Sequence, residues 1–460
     1  MNAINQKILR AWAGMSTRWL PFADAASEEL PLSRLLRLSL FQVSVGMALV
    51  LMVGTLNRVM IVELGVPASL VAIMISLPVV FAPMRALIGF KSDNHRSALG
   101  WKRVPFIWKG TMYQFGGLAI MPFALLVLSG GGQSGSLPPW IGQAGAGLAF
   151  LMVGAGVHMT QTVGLALATD LVPEEQQPNV VGLMYVMLLL GTIVSALIFG
   201  MLLSDFTPAK LVQVIQGAAV ATMALNLLAL WKQESRHRGK AMQRAPEMSF
   251  QQAWASFRQG QHAMRRLLAL GLGTTAFTMQ DVLLEPYGGQ VLQLTVASTT
   301  RLTATLALGG LLGFGLASKV LSRGADPFRM ASYGALVGVP AFLCVIFAAP
   351  LDLPWLFALG ALLIGFGGGL FSHGTLTATM KFAPPNQVGL ALGAWGAVQA
   401  TAAGLAVATG GVLRDIMAGL ASAASMGPAT GYIMVYALEA TLMLVTLVIM
   451  APLVRKRVPG

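Results

Sequence analysis

Histidine offers the sharpest chemistry in this sequence. Of the five, His158 and His373 fall inside long apolar runs, while His95, His237 and His262 fall in polar connections. A neutral imidazole in a low-dielectric setting can hydrogen-bond to the next helix or give a lone pair to a metal. The axial position of a chlorophyll magnesium is one such acceptor, and His158 and His373 are candidate ligands for it. Small neighbours, Gly154 and Gly156 beside His158 and Gly374 beside His373, would leave room for a flat ring. Carboxylates come next. Asp281 and Glu285 lie one helical turn apart on one face, where like charges repel unless one is protonated or a cation intervenes. Arg301 is the expected partner. Two outcomes stay open for this group: an ion-pair clasp between neighbouring helices, or a gate that responds to a proton or ligand. Arg58, Glu63, Arg85 and Lys109 are candidates for an analogous cluster earlier in the chain. No nucleophile, base and orienting group stand together, so an enzyme is not expected.

The elements that hold these residues are set by composition. Hydrophobic residues make up 56% of the 460 and charged residues 10%, against ~25% charged in an ordinary globular chain. So few charges cannot cover a soluble surface, which excludes a cytosolic or secreted enzyme, a disordered protein and a nucleic-acid module. About 20 apolar residues cross a bilayer as helix, and twelve such runs are present: 39 to 62, 68 to 89, 104 to 129, 141 to 166, 180 to 203, 211 to 231, 267 to 286, 299 to 318, 330 to 349, 355 to 380, 387 to 412 and 431 to 453. Of 30 Lys and Arg, 24 fall in the two ends and alternate connections, two on the other side (Lys210 and Arg414), and four within spans. The positive-inside rule then predicts both ends cytoplasmic. The net charge of +13 is explained by topology, with no nucleic-acid partner. The single cysteine, Cys344, lies mid-span, so neither a disulfide framework nor a cysteine metal site is expected. The first 30 residues lack a continuous apolar core, and no cleavable signal peptide is expected.

The polar stretch 232–266 divides the chain into six plus six spans. Repeats support the division: Ala168-Thr169 followed by Val181-Gly182-Leu183 matches Ala378-Thr379 followed by Val388-Gly389-Leu390, and Arg58 before Glu63 matches Gln280 before Glu285. The expected organisation is a cytoplasmic segment 1–37, a six-helix half 38–231, a central loop 232–266, a second half 267–453 and a tail 454–460. Two parallel six-helix halves is the plan of the major facilitator superfamily. Gly89, Asp93, Arg96, Gly100, Lys102 and Arg103 in the second connection resemble that superfamily's cytoplasmic loop motif, with an insertion. Ile4, Ile8, Trp12, Met15 and Trp19 share one helical face, as do Phe250, Trp254 and Phe257. Both stretches carry cations and suit helices lying in an anionic inner leaflet. Glycines such as Gly309, Gly310, Gly313, Gly365 and Gly369 mark either close helix packing or faces smooth enough for a flat ligand.

Longer strings carry a family resemblance. Gln280-Asp281-Val282-Leu283-Leu284-Glu285-Pro286-Tyr287-Gly288-Gly289, residues 37–46 and 54–65 of the first span, and residues 96–105 of the second connection resemble the PucC/LhaA family, the bacteriochlorophyll delivery branch of the major facilitator superfamily. The resemblance covers most of residues 30 to 455. It implies an all-α inner-membrane protein of purple bacteria that assembles light-harvesting complexes, handling bacteriochlorophyll a or shepherding antenna polypeptides. Implied partners are those polypeptides, bacteriochlorophyll synthase, insertion machinery, the reaction-centre complex and membrane lipid. LhaA-like members are associated with the core antenna and PucC-like members with the peripheral one; the former is slightly preferred. Two other readings compete. One is a proton-coupled secondary transporter in which Asp281 and Glu285 titrate; the other is a pigment-free scaffold whose amphipathic segments dock partners.

Overall fold

The computed structural model describes residues 31–81, 85, 88, 92, 101–130, 138–173, 176–234, 262–382, 388–423, 427 and 429–454. The segments 1–30 and 235–261, with both predicted amphipathic helices, and Gly89, Asp93, Arg96 and Gly100 lie outside them. Every regular element among the described residues is helical. We number the spans α1 (Leu32–Glu63), α2 (Ala68–Val79), α3 (Val104–Leu128), α4 (Pro139–Asp170), α5 (Gln177–Leu202), α6 (Pro208–Leu230), α7 (Ala263–Gln290), α8 (Val296–Leu321), α9 (Pro327–Ala348), α10 (Pro354–Lys381), α11 (Val388–Ala423) and α12 (Thr430–Met450). Eleven of these are long and apolar enough to cross a membrane. For α2 only the shorter apolar stretch is described in full, with Arg85, Ile88 and Ser92 helical beyond it. The chain is a multi-pass membrane protein.

Helix starts follow from capping chemistry. Proline opens α4, α6, α9 and α10, where its missing N–H costs nothing. Asp326 accepts from the backbone N–H of Phe328 (2.8 Å) and Arg329 (3.0 Å) to cap α9. The run ending at 412 extends as α11 to Ala423. The charged pair just beyond that run, Arg414 and Asp415, meets at 2.7 Å and stays in the helix.

Packing repeats between the halves. α3 lies on α4 and α6, and α1 lies on α5 and α6; correspondingly α9 lies on α10 and α12, and α7 on α11 and α12. The halves meet mainly through α5 with α8 and α2 with α11. The glycine faces turn out to be packing surfaces. A Cβ at Gly369 of α10 would sit 2.5 Å from the Gly310 carbonyl oxygen of α8, and Gly309, Gly313 and Gly365 are blocked by backbone in the same seam. No flat ligand can lie there. Each half has its own apolar core; in the second, Tyr287 sits within 5.4–5.5 Å, centroid to centroid, of Phe357, Tyr432 and Tyr436.

Candidate functional site

The most distinctive geometry is a seam between the halves at the end away from the basic loops. It begins with a fault in α7. Pro286 has no N–H, so the carbonyl of Val282, four residues back, loses its helical partner. The chain leaves α-geometry there, making a 3-10 turn over Met279–Val282 before resuming at Leu284. In a lipid-level interior an orphan carbonyl must find another donor. Asn57 of α1 supplies it, its Nδ2 donating to the Val282 oxygen at 2.8 Å. The repeat-related helix is irregular at the matching place: α1 runs as π-helical turns over Val50–Leu56 and Val59–Glu63, a form that recurs at functional sites.

Around this crossing the contacts are polar and buried. Arg58, 4% exposed, donates from Nη1 to Glu63 Oε1 at 2.5 Å and from Nη2 to the Leu294 carbonyl at 3.1 Å, across the seam. Thr55 and Thr300 share a hydroxyl bond at 3.2 Å. Glu285 accepts from the Thr303 hydroxyl, and the space beside its carboxylate exists because residue 54 of α1 is glycine. A second stitch lies on α2 and α11, where Asp415 Oδ2 accepts from the Ser69 N–H at 2.7 Å at the start of α2. Arg414 reaches Gln290 Oε1 at 2.6 Å, which also accepts from the Tyr432 hydroxyl at 2.6 Å. Glu63 is 38% exposed, so its pairing with Arg58 contributes only ~0–1 kcal/mol. The buried bond to Val282 matters more, at about 1–3 kcal/mol when one partner is lost, while the bond to Leu294 is part-buried.

Several sequence expectations change. Arg301 is exposed and lies across Gly200 of α5, forming no ion pair with Asp281 or Glu285. Those two carboxylates are also parted by the break in α7, which the single-face spacing could not anticipate: Asp281 accepts from Gln280 Nε2 at 2.5 Å, while Glu285 faces α8 and α1. Arg58, Glu63, Arg85 and Lys109 do not form one cluster. Arg85 donates to Thr162 (2.9 Å) and Gln161 (3.3 Å) of α4, and Lys109 is exposed over the Phe106 ring. Of the loop motif, Lys102 and Arg103 are described. The Glu234 carboxylate accepts from the N–H groups of Lys102, Arg103 and Val104 at 2.7–3.0 Å, capping α3, while Arg103 grips Asp170 at 3.0 Å and Ser92 at 2.6 Å.

The histidines lie nearer the basic side. His158 Nδ1 is buried with no hydrogen-bond partner among the described residues, whereas the His373 ring packs on Phe314 at 4.3 Å. The room expected beside them is already filled. Pro78 occupies the space at Gly154, α3 backbone that at Gly156, and a Cβ at Gly374 would meet the Ala331 nitrogen at 2.8 Å. Space for an apolar guest exists elsewhere: a groove of about 490 Å³ between α1, α5 and α6, lined by Met47, Ile198, Phe199, Val214 and Gly217 with Lys210 at one end.

Asn57 and Glu439 went unrecognised in the sequence. Pro286 inside a span was the signal for the first, and an acid in the last apolar run was the signal for the second.

A family model described as PUCC protein matches residues 55–458. The chain belongs to the PucC family. It is 65% identical over 418 residues to the Protein PucC of Rhodovulum sulfidophilum, covering 90% of this chain and 92% of that one. Against the Protein PucC of Cereibacter sphaeroides it is 59% identical over 455 residues, covering 99% and 98%. Among solved structures, the nucleoside transporter NupG superposes with a TM-score of 0.66 at 16% identity, covering 92% of this chain and all but 1% of that one (99%). The fold is that of the major facilitator superfamily, two six-helix halves in one bundle.

Proposed function

We propose that this chain is a non-enzymatic assembly factor for bacterial light-harvesting complexes, taking bacteriochlorophyll as cargo and passing it to antenna polypeptides. The observation that carries the reading is its 65% identity, over 90% of its length, to a Protein PucC. Kinship with chains of that name favours the peripheral antenna over the core antenna, which the family resemblance alone slightly preferred without a deciding residue. In this reading the protein sits in the inner membrane, and the excess of Lys and Arg in alternate connections supports both ends being cytoplasmic. The pigment is largely apolar, and the groove beside Gly217 suits it better than the crowded flanks of His158 and His373. Deleting the gene should leave bacteriochlorophyll synthesis running while membranes lose antenna absorption, with recovery on complementation. Unchanged antenna bands in the deletion strain would refute the reading.

A second reading rests on the transporter fold and the carboxylates of α7, Glu285 buried and Asp281 partly so: proton-coupled movement of an amphipathic solute. It predicts proton flux in vesicles that Asp281→Asn abolishes.

A further inference from the structure

Glu439 of α12 is fully buried (0% exposed) in the middle of an apolar helix, and neither reading above uses it. Its Oε1 accepts from the backbone N–H of Gln280 at 2.7 Å. That N–H is released by the 3-10 turn in α7, so the carboxyl group is built into the break. Among the described residues its Oε2 has no hydrogen-bond partner, and neither has Oε1 of Gln280, a side chain 1% exposed on the residue Glu439 already holds. Both orphan atoms are acceptors. What the pair lacks is a hydrogen.

The charge balance points the same way. The titratable groups facing Glu439 are Asp281 from α7 and Tyr436 from its own helix, with Tyr287 and Tyr432 beyond Tyr436. Among the described residues no Lys, Arg or His of α7, α9 or α11 pairs with Glu439 or Asp281; Arg414 on α11 is taken up by Asp415 and Gln290. An ionised carboxylate at membrane depth, next to a second acid and without a cation, carries a penalty of several kcal/mol. A metal cation would need a fuller oxygen cage: among the described residues no group of three His, Cys, Asp or Glu could hold a metal ion.

We propose that Glu439 is a proton-binding site: it is held as the neutral acid in this conformation, and its proton is exchanged only when α12 and the broken segment of α7 separate. The proton resides on Oε2 and supplies the donor that the Glu439–Gln280 pair lacks, while Oε1 keeps the Gln280 N–H. The inference stands whether the cargo is pigment or solute.

Infrared difference spectroscopy of the full-length protein in lipid, in H2O and D2O at neutral pH, tests it. The wild type should show carbonyl absorption of buried carboxylic acid, shifted by deuterium, with a component that is lost in Glu439→Gln and retained in Asp281→Asn. Gln presents an acceptor and a donor in the same places, so E439Q should unfold at nearly the wild-type temperature while Glu439→Ala unfolds lower. A neutral-pH spectrum with only ionised carboxylate bands, or an acid region that E439Q leaves unchanged from the wild type, would overturn the proposal.

Discussion

Asn57 is a single neutral amide, yet it satisfies the one carbonyl that Pro286 strands at the heart of α7. Removing it in Asn57→Ala leaves the Val282 oxygen buried and unpaired, a cost of about 1–3 kcal/mol borne only while the far end of the seam is closed. Spin labels at the far ends of α3 and α9 should report a larger open fraction in this variant, by a factor of roughly 5 to 150. Unaltered distance distributions would assign Asn57 no part in closure. Such polar anchors were only half legible in the sequence. Arg58, Asp281 and Glu285 stood out because charge in an apolar span is costly. Their partners did not, since spacing arguments assume an unbroken helix and α7 breaks between the two acids. The glycines beside His158 and His373 misled for a related reason: sequence shows that a residue is small, not which neighbour fills the space it leaves.

Two helices related by the internal repeat, α1 and α7, depart from α-geometry at matching depth and cross where they do so. Pro286→Ala restores the missing N–H, favouring a continuous helix by about 3 kcal/mol. Val282 then has an intrahelical partner and Asn57 loses its acceptor, so amide exchange should slow through 282–287 and quicken at the end of α1. No change at either segment would mean that the break is imposed by packing instead. The twelve spans themselves were readable because lipid leaves a backbone little choice but helix. Where the apolar run ends, at 412, the helix continues, because its charged pair Arg414 and Asp415 is satisfied within it. The groove between α1, α5 and α6 was invisible to sequence, being made of unremarkable apolar residues from three separate spans. Filling it with Gly217→Trp should lower bound pigment several-fold, whereas the double variant His158→Ala, His373→Ala should keep it. Pigment lost from the histidine variant alone would return axial ligation to the centre of the account.

At the scale of the whole molecule, two stitches close the seam away from the basic loops: α1 across α7 and the α7–α8 connection, and Asp415 under the start of α2. Among the described residues, the hydrogen bonds from α1 to the second half come from Thr55, Asn57 and Arg58, all in the last third of that helix. The bundle shares the fold of its solved transporter neighbour, here with a lateral apolar groove suited to a guest that arrives from lipid. The measurement that tests this most directly is the absorption spectrum of the protein purified gently from pigment-making cells, with bound polypeptides identified by mass spectrometry. Bacteriochlorophyll bands together with antenna polypeptides are the predicted result; a colourless protein accompanied by neither would contradict the account.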